Sequence, residues 1–284
     1  MLSIPFRTVN FTNREKVRLS TRHLPVPVEW MHIPKTGTSF RDVLLKALCE
    51  EDAPIVMPAR IAPLPTKCKN LFVSHENPRK NWPIGHHIPL NPSQTTDVTN
   101  VVTFIRSPRH RLLSQFFGVQ GDQYKLLNSS FSQLSVREKN DAILAFANKY
   151  HYQGCQTKMV LGVRCQDPVG PEKLRILDAC KRVNNFAFVG ITDQWEASVC
   201  LFHHLFGGNF GQEEGKNMRK TLFPYTSNLL VEYEDEHDFA LFSCAWKRFY
   251  NQVRGTRCEQ FLEKDIFSEL SVQQLFSTSV DHSA

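Results

Sequence analysis

The sequence predicts an α/β fold: one domain with a central parallel sheet flanked by helices. Three observations point there. Short, mainly apolar runs, VEWMHI (28–33), VVTFI (101–105) and FAFVGI (186–191), read as strands buried on both faces. Segments with helical spacing of apolar residues follow them. Strands that alternate with helices imply crossover connections and hence a mostly parallel sheet.

The elements follow in chain order. After the first strand, Phe40, Val43, Leu44, Ala47 and Leu48 keep helical spacing. LFVS (71–74) reads as a short strand, and residues 75–93 as a loop bearing proline and histidine. Beyond VVTFI, Ser107 is placed to cap a helix with Pro108 at its first position. Leu112, Leu113, Phe116 and Phe117 form its buried face. Further helices are expected over 134–149, 171–184, 193–206 and 234–253, the last with an inward stripe of Phe239, Phe242, Trp246, Phe249 and Val253. The glycine-rich run 207–217 reads as a surface loop. Residues 1–27 form an N-terminal extension and 28–284 the domain.

The 284 residues, 41% of them hydrophobic, suffice for a real core. A net charge of +6 suits an anionic ligand or a solvated basic surface. No apolar stretch reaches the roughly 18 residues of a membrane span, and the first residues lack the apolar middle of a signal peptide. The reading is therefore a soluble chain, or one whose membrane link is an anchor not seen in it. The eight cysteines form no CxxC pair, so no zinc site is expected. Their even number permits disulfides, Cys155 with Cys165 closing a short loop; buried free thiols fit equally well. Two sequons, at Asn10 and Asn128, fit a glycoprotein of the secretory route.

Chemistry concentrates in two stretches. WMHIPKTGTSF (30–40) is a strand, a short loop and a helix start. Backbone N–H groups at a helix start face an anion, Gly37 allows close approach, Thr36, Thr38 and Ser39 add hydroxyl donors, and Lys35 adds a point charge. It is P-loop-like, but not a Walker A loop, because lysine precedes the glycine. A capped helix with a surface lysine is the plain alternative. In VVTFIRSPRHRLLSQFF (101–117), Arg106 lies at the C-terminal end of a strand, where α/β sheets bind ligands. Ser114 lies eight residues on, and Arg111 shares that half of the helix. An arginine fork with a serine suits a second phosphate. Two anion grips without metal ligands suggest a ligand with two spaced anionic groups.

These residues resemble the sulfotransferases that use 3′-phosphoadenosine 5′-phosphosulfate (PAPS). PKTGTSF is similar to their 5′-phosphosulfate loop, and HIPKTG to its form in the carbohydrate branch. FIRSPRHRLLSQF resembles their 3′-phosphate motif. GCQTKMVLG (154–162) and FAFVGITDQWEASVCLFHHLFG (186–207) resemble segments of heparan sulfate 6-O-sulfotransferases and their relatives. The likeness runs from about residue 28 to about residue 255. It implies PAPS as sulfuryl donor without a metal and a phosphosulfate cradle. Within it, Lys35 sits at the bridging oxygen, Thr36, Gly37, Thr38 and Ser39 around the phosphosulfate, and Arg106 and Ser114 on the 3′-phosphate. Thr192, with Trp195, falls near the adenine, Trp195 being equally readable as core.

A base must take the acceptor's proton. GHHIPL resembles the element carrying the catalytic histidine in the 2-O-sulfotransferase relatives, which ranks His86 first and His87 next. His75, after a strand, is the rival, with Glu76 beside it. His203 and His204 read as structural. The expected acceptor is an anionic glycan or polysaccharide rather than nucleic acid. Lys158, Lys67, Lys69, Arg79 and Lys80 either attract it or are solvated. The expected location is the secretory pathway, in the Golgi lumen. Two other readings stand: an atypical P-loop kinase, which needs a magnesium-binding acid, and a non-catalytic anion- or glycan-binding protein.

Overall fold

The computed structural model of the chain describes residues 24–25, 27–37, 40, 43–44, 71, 87–90, 98–117, 130–149, 152–170, 174–208, 214, 229–230 and 233–263. Three strands, β1 (Glu29–Met31), β2 (Val101–Ile105) and β3 (Phe188–Ile191), form a parallel sheet in the order β1-β2-β3. Glu29 pairs with Val101, and Phe104 with Gly190. Every strand residue is buried, Glu29 and Thr103 included, as mainly apolar runs require of a parallel sheet covered on both faces. The fold is therefore α/β, as the alternation of periods predicts.

Among the described residues the helices are α1 (Pro108–Phe116), α2 (Ser130–Gln133), α3 (Val136–Ala147), α4 (Cys155–Val160), α5 (Ile176–Asn185), α6 (Trp195–Phe206) and α7 (Glu236–Val253). Residues Phe40, Val43 and Leu44 are helical and buried. The first two of the four helices expected from 134 onward differ at one or both ends. Helix α3 starts where Ser135 and Glu138 make a capping box, Ser135 Oγ accepting from the Glu138 N–H. Helix α5 starts at Ile176 rather than 171; Leu174 and Arg175 are non-helical, and Asp178 in the first turn pairs with Arg175 at 2.6 Å. The other two shift in the same way. A 3-10 turn, Thr192–Gln194, precedes α6 because the Asp193 side chain is used elsewhere. Asp235 caps α7, accepting from the Asp238 N–H at 3.1 Å.

Strand ends contract for similar reasons. His32 and Ile33 leave the sheet because the chain turns at once, the Thr36 N–H reaching back to Ile33 O. Phe186 lies outside β3, since it closes α5 with its N–H on Val183 O. Leu71 sits in a 3-10 turn, not the expected strand; its carbonyl accepts from the N–H of Val28, a bridge residue just before β1. Residues 72–74 lie outside the described residues.

One core encloses the sheet, with Phe40, Phe104, Phe188 and Phe202 packed around each other. Gly190 makes room for the Phe104 ring opposite it, where a Cβ would lie 2.5 Å from Cε1. A second core forms between α1 and α3, with Leu112, Leu113, Phe116 and Phe117 all buried as the spacing predicts. On α7, Phe242, Trp246, Phe249 and Val253 face inward with Leu241 and Ala245, while Phe239 is half-buried. Three disulfides join described residues: Cys155–Cys165, Cys180–Cys244 and Cys200–Cys258. These six are not the free thiols that the sequence left open. Among the described residues no helix is long and apolar enough to cross a membrane.

Candidate functional site

Because the strands are parallel and in register, the segments after Met31, Ile105 and Ile191 emerge at one edge of the sheet. Side chains there tie the three segments together. Arg106 Nη1 donates to Lys35 O at 3.2 Å, and Thr192 Oγ1 donates to Thr36 O. The loop is shaped from within as well. Thr36 Oγ1 donates to Ile33 O at 2.9 Å, Lys35 adopts φ 69°, and Gly37 adopts φ 118°. Gly37 is also needed for space: a Cβ there would lie 2.9 Å from Trp195 Cζ3.

The loop residues therefore divide their work differently from the sequence expectation. Thr36 is buried and its proton is committed to Ile33 O, so it braces the loop instead of donating outward. Thr192 does the same from the 3-10 turn that follows β3. Trp195 is the floor of the loop: its ring packs at a tilt against Phe104 (5.0 Å between centroids), and its Nε1 donates to Glu214 O at 2.6 Å. Lys35 and Arg106 are partly buried cations at the strand ends, the Arg106 side chain 18% exposed. Ser114 is buried on α1. Thr38 and Ser39 lie outside the described residues.

Asp193 is the electrostatic hub, and the sequence reading missed it. Its Oδ2 accepts from the Ser107 N–H at 2.7 Å; its Oδ1 meets His110 Nδ1 at 2.6 Å and lies 3.6 Å from Arg106 Nε. Burial pushes its carboxyl up, but His110, Arg106 and the Ser107 N–H outweigh burial and hold it below the ordinary carboxylate value. Ser107 accordingly makes no side-chain cap on α1; its contribution is the backbone N–H given to Asp193. The signal for Asp193 was only its place two residues after a strand.

A second polar layer lies below. Gln156, buried on α4, receives the Arg106 N–H on Oε1 at 3.0 Å and donates Nε2 to Arg106 O at 2.8 Å. Asp238 holds α4, accepting from the N–H groups of Gln156 (3.1 Å) and Thr157 (2.9 Å) and from Thr157 Oγ1 (3.0 Å). Asp235 accepts from the Gly154 N–H at 2.8 Å and from Tyr233 Oη at 3.1 Å. Burial, then the charge of Asp235, pushes the Asp238 carboxyl up to about 7 against the pull of Arg111 and the two N–H donors. Burial and the same two carboxyls keep the Tyr233 phenol protonated.

Two residues expected near ligand belong to this layer instead. Arg111 is 1% exposed, donates to Tyr152 O at 2.7 Å and lies 3.8 Å from Asp238, so it serves the interior rather than a second phosphate. Lys158, also 1% exposed, is neither solvated nor open to a glycan; burial lowers its pKa against the raising influence of Asp238, Asp235 and Asp167. Its four-carbon stem lies inside because α4 turns it toward those carboxyls.

Of the candidate bases, His87 is exposed with φ 53°, its ring 4.9 Å between centroids from that of His32, which is buried at the end of β1. His86, His75, Glu76, Lys67, Lys69, Arg79 and Lys80 lie outside the described residues. His203 is structural, clamped between Gly207 O and Glu214 Oε2 at 3.0 Å each, and His204 is exposed. Glu214 is itself buried, so the 207–217 run is anchored at that residue. No protein-family model matches this chain, and no curated protein matches it.

Proposed function

We propose that this protein is a sulfotransferase that moves the sulfuryl group of PAPS to a hydroxyl of a glycan or polysaccharide. One observation carries the reading: Arg106 Nη1 on Lys35 O couples the Lys-Thr-Gly loop to the start of the Arg-to-Ser helix. Two cationic segments held together at the C-terminal edge of a parallel sheet suit a ligand with two anionic ends. Gly37 supports the same reading through its backbone, because φ 118° lets the loop turn tightly between β1 and the helical Phe40.

PAPS supplies the sulfuryl group and a 3′,5′-bisphosphate leaving group. Lys35 neutralises charge growing on the bridging oxygen, and Arg106 with Ser114 holds the 3′-phosphate. Loop residues Thr36 to Ser39 embrace the phosphosulfate, with Thr36 and Thr192 acting as braces. A histidine of the 75–87 segment (His86 first, then His87 and His75) takes the acceptor's proton as its oxygen bonds to sulfur. Three disulfides among the described residues and two sequons support a secretory, Golgi-lumenal setting with an anionic glycan as acceptor.

Asp193 gives the kinase reading its one foothold, since it follows β3 where a magnesium-binding acid would sit. Its oxygens are engaged by Ser107, His110 and Arg106, which favours the first reading. The test is thermal unfolding with 3′-phosphoadenosine 5′-phosphate, without magnesium, for the wild type, Lys35→Ala and Arg106→Ala. A ligand bound only by the folded state raises the midpoint, with about 2.7 kcal/mol gained at 100 times Kd. The wild type shifts, both variants lose most of the shift, and ATP with magnesium does far less. No shift in the wild type overturns the reading.

A further inference from the structure

The grip of Gln156 on Arg106 has a structural reason. The ladder with β1 ends at Thr103, and the ladder with β3 ends at Ile105. Arg106 is one residue past the last strand pairing, where its backbone would otherwise be loose. Gln156 supplies both halves of a strand partner to that single residue, at 3.0 and 2.8 Å. A carboxamide is the side chain that can do this, since it offers one acceptor and one donor side by side. The helix carrying it is clamped at its own start by Asp238 and Asp235 and tied by Cys155–Cys165. The rigid path thus runs from α7 through α4 to the backbone of Arg106. From there the guanidinium reaches Lys35 O and Asp193.

We propose that Gln156 is the positioning residue of the site: by pairing with the Arg106 backbone it aims the guanidinium, and so sets the preference for a nucleotide carrying a 3′-phosphate. This rests on the proposed donor. Gln156 is fully buried, and its carboxamide bonds the Arg106 backbone through both its oxygen and its nitrogen.

The experiment compares affinity for 3′-phosphoadenosine 5′-phosphate with that for adenosine 5′-monophosphate, by calorimetry, in the wild type, Gln156→Met and Gln156→Glu. Gln156→Met keeps the length and loses both hydrogen bonds. It should lower the preference for the 3′-phosphate about tenfold, the worth of one charge-assisted contact, while adenosine 5′-monophosphate binds as in the wild type. Gln156→Glu provides conservative rescue. Protonated, its carboxyl still donates to Arg106 O and accepts from the Arg106 N–H. Ionised, it opposes a carbonyl. Its preference should match the wild type at low pH and fall below it as pH rises, each pH being referred to the wild type. A purely structural role would lower both affinities together or neither. A wild type with the preference and variants that keep it, or a Gln156→Glu preference parallel to the wild type at every pH, overturns the inference alone. A wild type with no preference overturns the proposed donor and this inference with it.

Discussion

Replacing Gly37 by alanine separates two costs that the loop imposes. The first is conformational: at φ 118° an L-residue occupies backbone space that it rarely adopts, a cost of about 1–3 kcal/mol. The second is steric: the new Cβ would lie 2.9 Å from Trp195 Cζ3. The ring cannot easily retreat, because Nε1 is hydrogen-bonded to Glu214 O at 2.6 Å and the ring packs against Phe104. Overpacking of that kind costs about 1–3 kcal/mol. Gly255 provides the control. It has φ 75° and nothing within 4 Å of an added Cβ, so Gly255→Ala carries the conformational cost alone. In urea unfolding followed by circular dichroism, Gly37→Ala should lose about 2–6 kcal/mol and Gly255→Ala about 1–3 kcal/mol. Equal losses would refute the account of Trp195 as a fixed floor. No loss in either would refute the backbone argument as well.

Two further outcomes follow from the same geometry. Lys35 has a left-handed backbone at φ 69°, so Lys35→Gly should raise the unfolding midpoint, or leave it unchanged, by relieving about 1 kcal/mol, while the nucleotide-induced shift disappears. A fall in midpoint would show that the Lys35 side chain carries stability. Asp193 has a folded-state pKa below its unfolded 3.8, so the unfolded chain binds more protons as the solution is acidified. The stability Asp193 contributes is complete above about 4 and is lost as pH falls through its depressed value; Asp193→Asn should flatten that acid limb in stability measured from pH 6 downward. An unchanged limb would mean that other carboxyls govern it.

The sequence by itself determined the local facts. The unbroken apolar runs specified buried strands, the helical spacing specified the inward faces of α1 and α7, and Pro108 marked where α1 begins. The Lys-Thr-Gly loop and the Arg-to-Ser spacing marked the edge of the sheet where the segments after β1 and β2 come together. Strand and helix ends were less legible, because they are decided by partners far along the chain. Asp193 stops α6 from starting early by turning to Ser107, and Arg248 takes the carbonyls of Val183 and Phe186 where α5 closes. Tertiary structure alone decided which polar residues serve the interior. Arg111 and Lys158 look like surface cations in a sequence, yet Asp235 and Asp238 draw both inside. Gln156 lies 50 residues from the Arg106 it pairs with, and Asp193 lies 83 from His110. A one-dimensional pattern records spacing along one element, whereas a buried donor must find whatever acceptor the packing of several elements brings within reach.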